Sequence, residues 1–215
     1  PAIDDARWSK LEGSEPWPTD LIEVTELPAP DETLAKVVKN GNVEFKFYDA
    51  NKIRRRFTGE TRMVMNYYTN VKFRWRVVRV QGKRQLAVTV DHRPTRFEFF
   101  HQILLPRAHA NEQMFAVPLV LHELDHVRVS LDPRYQAQFE EWFQEATKSL
   151  TIEIDSRTKE DDFESLIHEE VQAQSAQCFE KVLQLIHIRN RELDRQTQHG
   201  ELKLADDFFS VADEN

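Results

Sequence analysis

The chain has 215 residues, 40% of them hydrophobic and 31% charged. That is the composition of an ordinary globular protein of one or at most two domains, and no apolar stretch approaches the length of a membrane span. Its single cysteine, Cys178, excludes an internal disulfide framework and a Cys-rich structural zinc site, so any metal must rely on His and carboxylate ligands.

The net charge of −8 conceals a split: residues 41–107 carry 15 Lys and Arg against 5 Asp and Glu, and the remainder 14 against 32. Such asymmetry marks either an anionic partner or a basic sheet facing acidic helices. The basic residues alternate along strands and do not cluster, which favours self-complementarity and disfavours nucleic acid. An anionic polymer contacting residues 41–107 stays open. Because the first residue is Pro1, loss of an upstream segment is expected, by a signal peptidase or by the choice of expressed segment.

Residues 1–40 hold five prolines, many acids and little periodicity. They read as an extended arm that packs at points such as Trp8 and Trp17. From residue 41 a single domain is expected, β-rich over 41–107 and helical over 108–200, with an acidic tail over 201–215. Val43, Phe45 and Phe47 alternate with polar neighbours, a strand signature. Val71, Phe73, Trp75 and Val77 face one way and Lys72, Arg74 and Arg76 the other; Gln81-Gly82-Lys83 supplies a turn before Leu86, Val88 and Val90 resume the alternation. That predicts a hairpin. Residues 97–105 predict a further strand, ended by Pro106.

Beyond Pro106 the period becomes helical. One helix starts near Val117, since Pro118 suits its first turn, and Asp132-Pro133 starts another running to about Leu150. Asp161 and Glu164 form a capping box for a long last segment ending near His199-Gly200, with Gly200 at the left-handed C′ position. Unbroken, that segment would span roughly 55 Å, so a break or a projecting hairpin is expected. The fold class is α+β: an N-terminal antiparallel sheet, then a helical half.

The motif that carries chemistry is His122-Glu123-Leu124-Asp125-His126, an HExxH inside an apolar run. Residues four apart on a helix lie one turn above each other, so both imidazoles can bind one zinc ion. Glu123 can then reach a water in the open coordination position and act as its general base. Burying these groups without partners would cost several kcal/mol, roughly, which a metal and its hydrogen-bonded surroundings offset. The alternative is two helix-surface histidines with a carboxylate between them. Asp125 reads either as an outer partner fixing an imidazole tautomer or as an ion pair with Arg128 or Arg134.

A catalytic zinc takes three protein ligands plus water. Candidates for the third are His199, beside a glycine at the end of the last helix, and Glu170, on the apolar face of Phe163, Ile167, Val171 and Cys178. His168 and His187 read as structural, and Cys178 as a small buried hydrophobe.

HExxH on a helix, followed by Asp194-Arg195-Gln196-Thr197-Gln198-His199-Gly200 as a D-x-x-T-x-H-G ending, resembles a bacterial family of predicted secreted zinc-dependent proteases. The likeness covers roughly residues 43–200; Leu193 stands where that family has an aromatic residue, and its tryptophan upstream of HExxH is missing. The resemblance implies a zincin-like active-site helix, Zn²⁺ as cofactor, His122, His126 and His199 as ligands with Glu170 the alternative, and Asp194 beside Asp125 as an outer partner. It also implies Glu123 as catalytic base, a peptide or protein substrate, and a secreted or periplasmic location. HELDH is similar to the peptide deformylase motif too, but no cysteine precedes Cys178 to complete that ligand set. Tyr135, His109 and Tyr68 are candidates for stabilising the transition state. The rival expectation is a non-catalytic metal-binding or interaction module whose basic sheet binds an anionic partner.

Overall fold

The computed structural model describes residues 17–53, 58–205 and 207–209; Trp8 and residues 210–215 lie outside them. The chain is mixed α+β, with sheets in its N-terminal half and helices in its C-terminal half, and it divides into two compact units. No helix among the described residues is long and apolar enough to cross a membrane.

The first unit holds the described residues up to Asn66, Glu98–Asp132, and those from Ile186 on. Its elements begin with α1 (Glu32–Asn40), which the proline-rich composition of the arm concealed. Asp31 caps α1 by accepting from the Leu34 N–H at 2.8 Å. Strand β1 (Val43–Tyr48) pairs in parallel with β5 (Arg96–Pro106), from Val43 opposite His101 to Tyr48 opposite Pro106. β2 (Glu60–Tyr68) lies on the other side of β5. The expectation of a single antiparallel sheet is therefore corrected: the described residues form two three-stranded sheets, and this one contains a parallel pair.

Phe47 from β1, Ile103 and Leu105 from β5, Met114, and Val120, Leu124 and Val127 from α2 (Pro118–Ser130) form one buried cluster. Each such side chain contributes about 1.5–3 kcal/mol when fully buried. Leu34, Val37 and Val38 of α1 close it from outside. Gly41 permits the approach, because a Cβ there would stand 2.5 Å from Val127 Cγ1. Trp17 packs on Arg62, its ring 4.3 Å from the guanidinium carbon.

The second unit holds Tyr67–Phe97 and Pro133–Leu185. β3 (Val71–Val80) and β4 (Lys83–His92) make the expected hairpin, with Val80 opposite Lys83. Gln81 (φ 52°) and Gly82 (φ 81°) form its two-residue turn, both left-handed as that tight connection requires. β6 (Leu150–Ile154) adds antiparallel to β4 immediately after α3 (Pro133–Thr147). Tyr67 and Phe97 pack on Phe139 and Phe179, and Trp75 meets Phe163 edge-on at 5.2 Å.

The last helix, α4 (Phe163–Thr197), is unbroken over 35 residues, roughly 52 Å, so of the two expectations, a break or a projecting hairpin, the break is absent. Its end also differs from expectation. The His199 N–H bonds the Asp194 carbonyl at 3.1 Å, which puts Gln198 (φ 50°) at C′ and Gly200 two residues beyond.

Candidate metal centre

Helix α2 and the last turns of α4, both within the first unit, build this site. On α2, Val120, Leu124 and Val127 fix which face turns inward, and that orientation buries His122 (5% exposed), Glu123 (3%) and His126 (6%). On the last turns of α4, Asn190, Asp194 and Thr197 fall at spacings of four and three, one stripe of a helix. Leu193 beside them is fully buried. The stripe meets the histidines in reverse order: Asn190 serves His126, Thr197 serves His122, and Asp194 lies between.

Three donor atoms converge. His122 Nε2 and His126 Nε2 are 3.2 Å apart, and Asp194 Oδ1 stands 3.2 Å from the first and 3.1 Å from the second. The other ring nitrogens are committed elsewhere. His126 Nδ1–H donates to Asn190 Oδ1 at 3.0 Å, and His122 Nδ1–H donates to Thr197 Oγ1 at 3.2 Å. The Thr197 hydroxyl spends its own proton on the Leu193 carbonyl, 2.8 Å away, and so accepts from His122. With both Nδ1 atoms protonated, two imidazole lone pairs and a carboxylate oxygen face one point. A positive charge balances them there, either a proton on His126 or a metal ion.

The donor set fits a divalent metal. Tetrahedral N and O ligands with arms of about 2.0–2.1 Å stand roughly 3.3 Å apart, close to the separations observed. Two imidazoles and one carboxylate suit zinc or another borderline first-row ion. Among the described residues, His122, His126 and Asp194 are the His, Cys and carboxylate group whose ligand atoms all lie within 4.8 Å of one another.

The carboxylates of Asp194 and Glu123 favour a proton on His126. Burial by itself would depress the His126 pKa, but the Asp194 hydrogen bond, the charge of Glu123 and the Asn190 contact together push it up to about 9. Burial would raise the Asp194 carboxyl, yet both imidazoles hold it far below the usual carboxylate range. Burial raises the Glu123 carboxyl, opposed by His126, His122 and Thr61.

Glu123 is gripped from β2 and the residue preceding it. Thr61 Oγ1 lies 2.6 Å from Glu123 Oε2 and 3.1 Å from the Glu123 carbonyl oxygen. Gly59 is buried against the same carboxylate, in space a Cβ would need. At the other end Gly200 (φ 88°) packs on His122, where a Cβ would stand 3.0 Å from the histidine's own Cβ.

The two HExxH histidines thus come together as their spacing predicts, while the third donor is Asp194, expected only as an outer partner. His199, the expected third ligand, is left-handed (φ 57°) and 55% exposed, with Nδ1 3.4 Å from Asp194 Oδ1. Glu170 accepts from Gln174 at 2.8 Å and is not in the cluster. Asp125 adopts the ion-pair arrangement, 2.8 Å from Arg128 Nη1. His109 closes a short 3-10 turn, and Tyr68 lies under Arg96 in the second unit. Thr61, Gly59 and Asn190 escaped sequence analysis. For Asn190 a signal existed: a polar residue four positions before Asp194 on a stripe otherwise holding Ile186 and Leu193.

No family model, no curated protein and no solved structure matches this chain.

Proposed function

We propose that the chain is a zinc-dependent metallopeptidase in which His122, His126 and Asp194 hold the ion. The observation that carries this reading is the donor triangle, with edges of 3.1–3.2 Å, set beside a buried glutamate. A zinc ion there would supply a Lewis acid for the scissile carbonyl and lower the pKa of a water. The chain's own residues do the rest. Glu123 takes the proton from the attacking water on a carboxylate oxygen and returns it to the leaving amine. Thr61 holds Oε2 and leaves Oε1 for that transfer. Asn190 and Thr197 fix the tautomers that turn both Nε2 lone pairs inward.

Glu123→Gln tests the reading. The variant is expected to retain about one zinc per chain by elemental analysis and to hydrolyse none of a mixed peptide library that the wild-type chain cleaves. Retained hydrolysis would refute Glu123 as the base.

A second reading rests on the basic sheet. Lys72, Arg74 and Arg76 project from one face of β3, exposed and without an ion pair among the described residues, while Phe73 and Trp75 turn to the other face. That row suits an anionic polymer bound by charge and offers no aromatic platform for bases. Salt-sensitive retention on heparin that disappears in Lys72→Gln/Arg74→Gln/Arg76→Gln, in a chain free of zinc, would favour it over the peptidase.

A further inference from the structure

Phe208 and Phe209 lie against the two helices that carry the donors. Phe208 is buried; the Arg189 guanidinium carbon lies 3.8 Å over its ring, and Arg189 Nη2 donates to the Phe208 carbonyl. Phe209, edge-on to Phe208 at 5.1 Å, lies under Arg128 with 3.9 Å between guanidinium carbon and ring centre. Arg189 belongs to α4, one residue before Asn190. Arg128 belongs to α2, two residues after His126, and is held by Asp125. Consecutive phenylalanines are therefore stacked under one arginine from each ligand-bearing helix.

We propose that Phe208 and Phe209 are positioning residues for the metal centre, a staple holding α2 and α4 at the separation that brings His122, His126 and Asp194 together. The inference rests on the metal reading given above. Its physical basis is that donors on two separate helices lose affinity when the helices drift, because metal binding must then supply the cost of bringing them back. The turn after α4 is fixed as well. The Leu202 N–H bonds the Thr197 carbonyl at 2.8 Å, and Gly200 sits against His122. Neither phenylalanine is a donor, so the staple acts through the helices and not on the ion.

Zinc affinity of the full chain, measured by competition with a chromogenic chelator, tests this without reference to activity. Phe208→Leu/Phe209→Leu keeps apolar bulk and removes both cation–ring stacks, and it is expected to bind zinc about tenfold more weakly. Arg128→Gln, at a side chain 43% exposed and so harmless to the core, is expected to lose about threefold. Phe209→Tyr retains a ring face and is expected to bind as the wild type does. Circular dichroism of the metal-free variants identifies any that fail to fold, and Arg128→Gln then decides the matter. Wild-type affinity in folded Phe208→Leu/Phe209→Leu and in Arg128→Gln would overturn the staple alone. A wild-type chain that binds no zinc would overturn the metal reading and the staple with it.

Discussion

Two buried histidine systems of the first unit differ in where the second ring nitrogen points. His101, 1% exposed on β5, donates through Nδ1 to the Gly41 carbonyl at 2.6 Å and meets Ser130 Oγ through Nε2 at 2.7 Å. Every polar atom of that ring has a neutral partner, and burial pushes its pKa down to about 4. His126, 6% exposed on α2, satisfies Nδ1 with Asn190 and turns Nε2 towards a carboxylate and another imidazole. Its pKa moves the other way. Burial is common to both, so burial does not set the two apart; the carboxylates that face His126 do.

Removing one member from each system sharpens that contrast. His126→Ala is expected to abolish stoichiometric zinc binding, whereas His101→Gln should leave it at about one ion per chain by elemental analysis. Equal losses in the two would erase the distinction.

The next effect concerns pH. His101 is neutral in the folded chain to about pH 4 and takes up a proton near 6.5 when unfolded, so the unfolded state binds more protons between those values. Stability from this group is fully present above about pH 6.5 and is lost as pH falls towards 4, by about 3 kcal/mol at most. Urea unfolding of metal-free protein at pH 7 and 4.5 measures it. The wild type should lose more stability than His101→Gln over that interval; parallel losses would mean that His101 is not held neutral.

Smaller effects belong to the outer partners of the donors. Asn190→Leu and Thr197→Val leave all three donor atoms in place but release the tautomers, and zinc affinity should fall about 10- to 100-fold in each. A chelator titration showing no change would mean that the rings are oriented by packing alone.

The difference between these histidines also explains what the sequence could reveal. His122 and His126 are four residues apart, and helical geometry alone superposes them. Asp194 lies 68 residues after His126, and its place depends on how α4 meets α2, which no local pattern encodes. His199 drew attention because it follows the helix and precedes a glycine, but the stripe of Asn190, Asp194 and Thr197 is what the helix turns inward. The same division holds for the fold. Alternation betrayed β3 and β4 because each has one wetter face, and Gln81-Gly82 supplied the turn. β2 was hidden because Arg62, Met63, Val64 and Met65 are all buried, so consecutive residues show no alternation. β6 has only five residues and starts just after α3, so the helical pattern reads on to Leu150. The parallel pairing of β1 with β5 is a long-range choice, invisible in either segment by itself.

The central claim is that Asp194, with the two HExxH histidines, completes the donor set. Zinc content of the purified wild-type, Asp194→Ala and His199→Ala chains tests it in one experiment. About one zinc per chain is predicted for the wild type and His199→Ala and none for Asp194→Ala. A wild type without metal, or an Asp194→Ala chain that keeps its ion while His199→Ala loses it, would contradict the account.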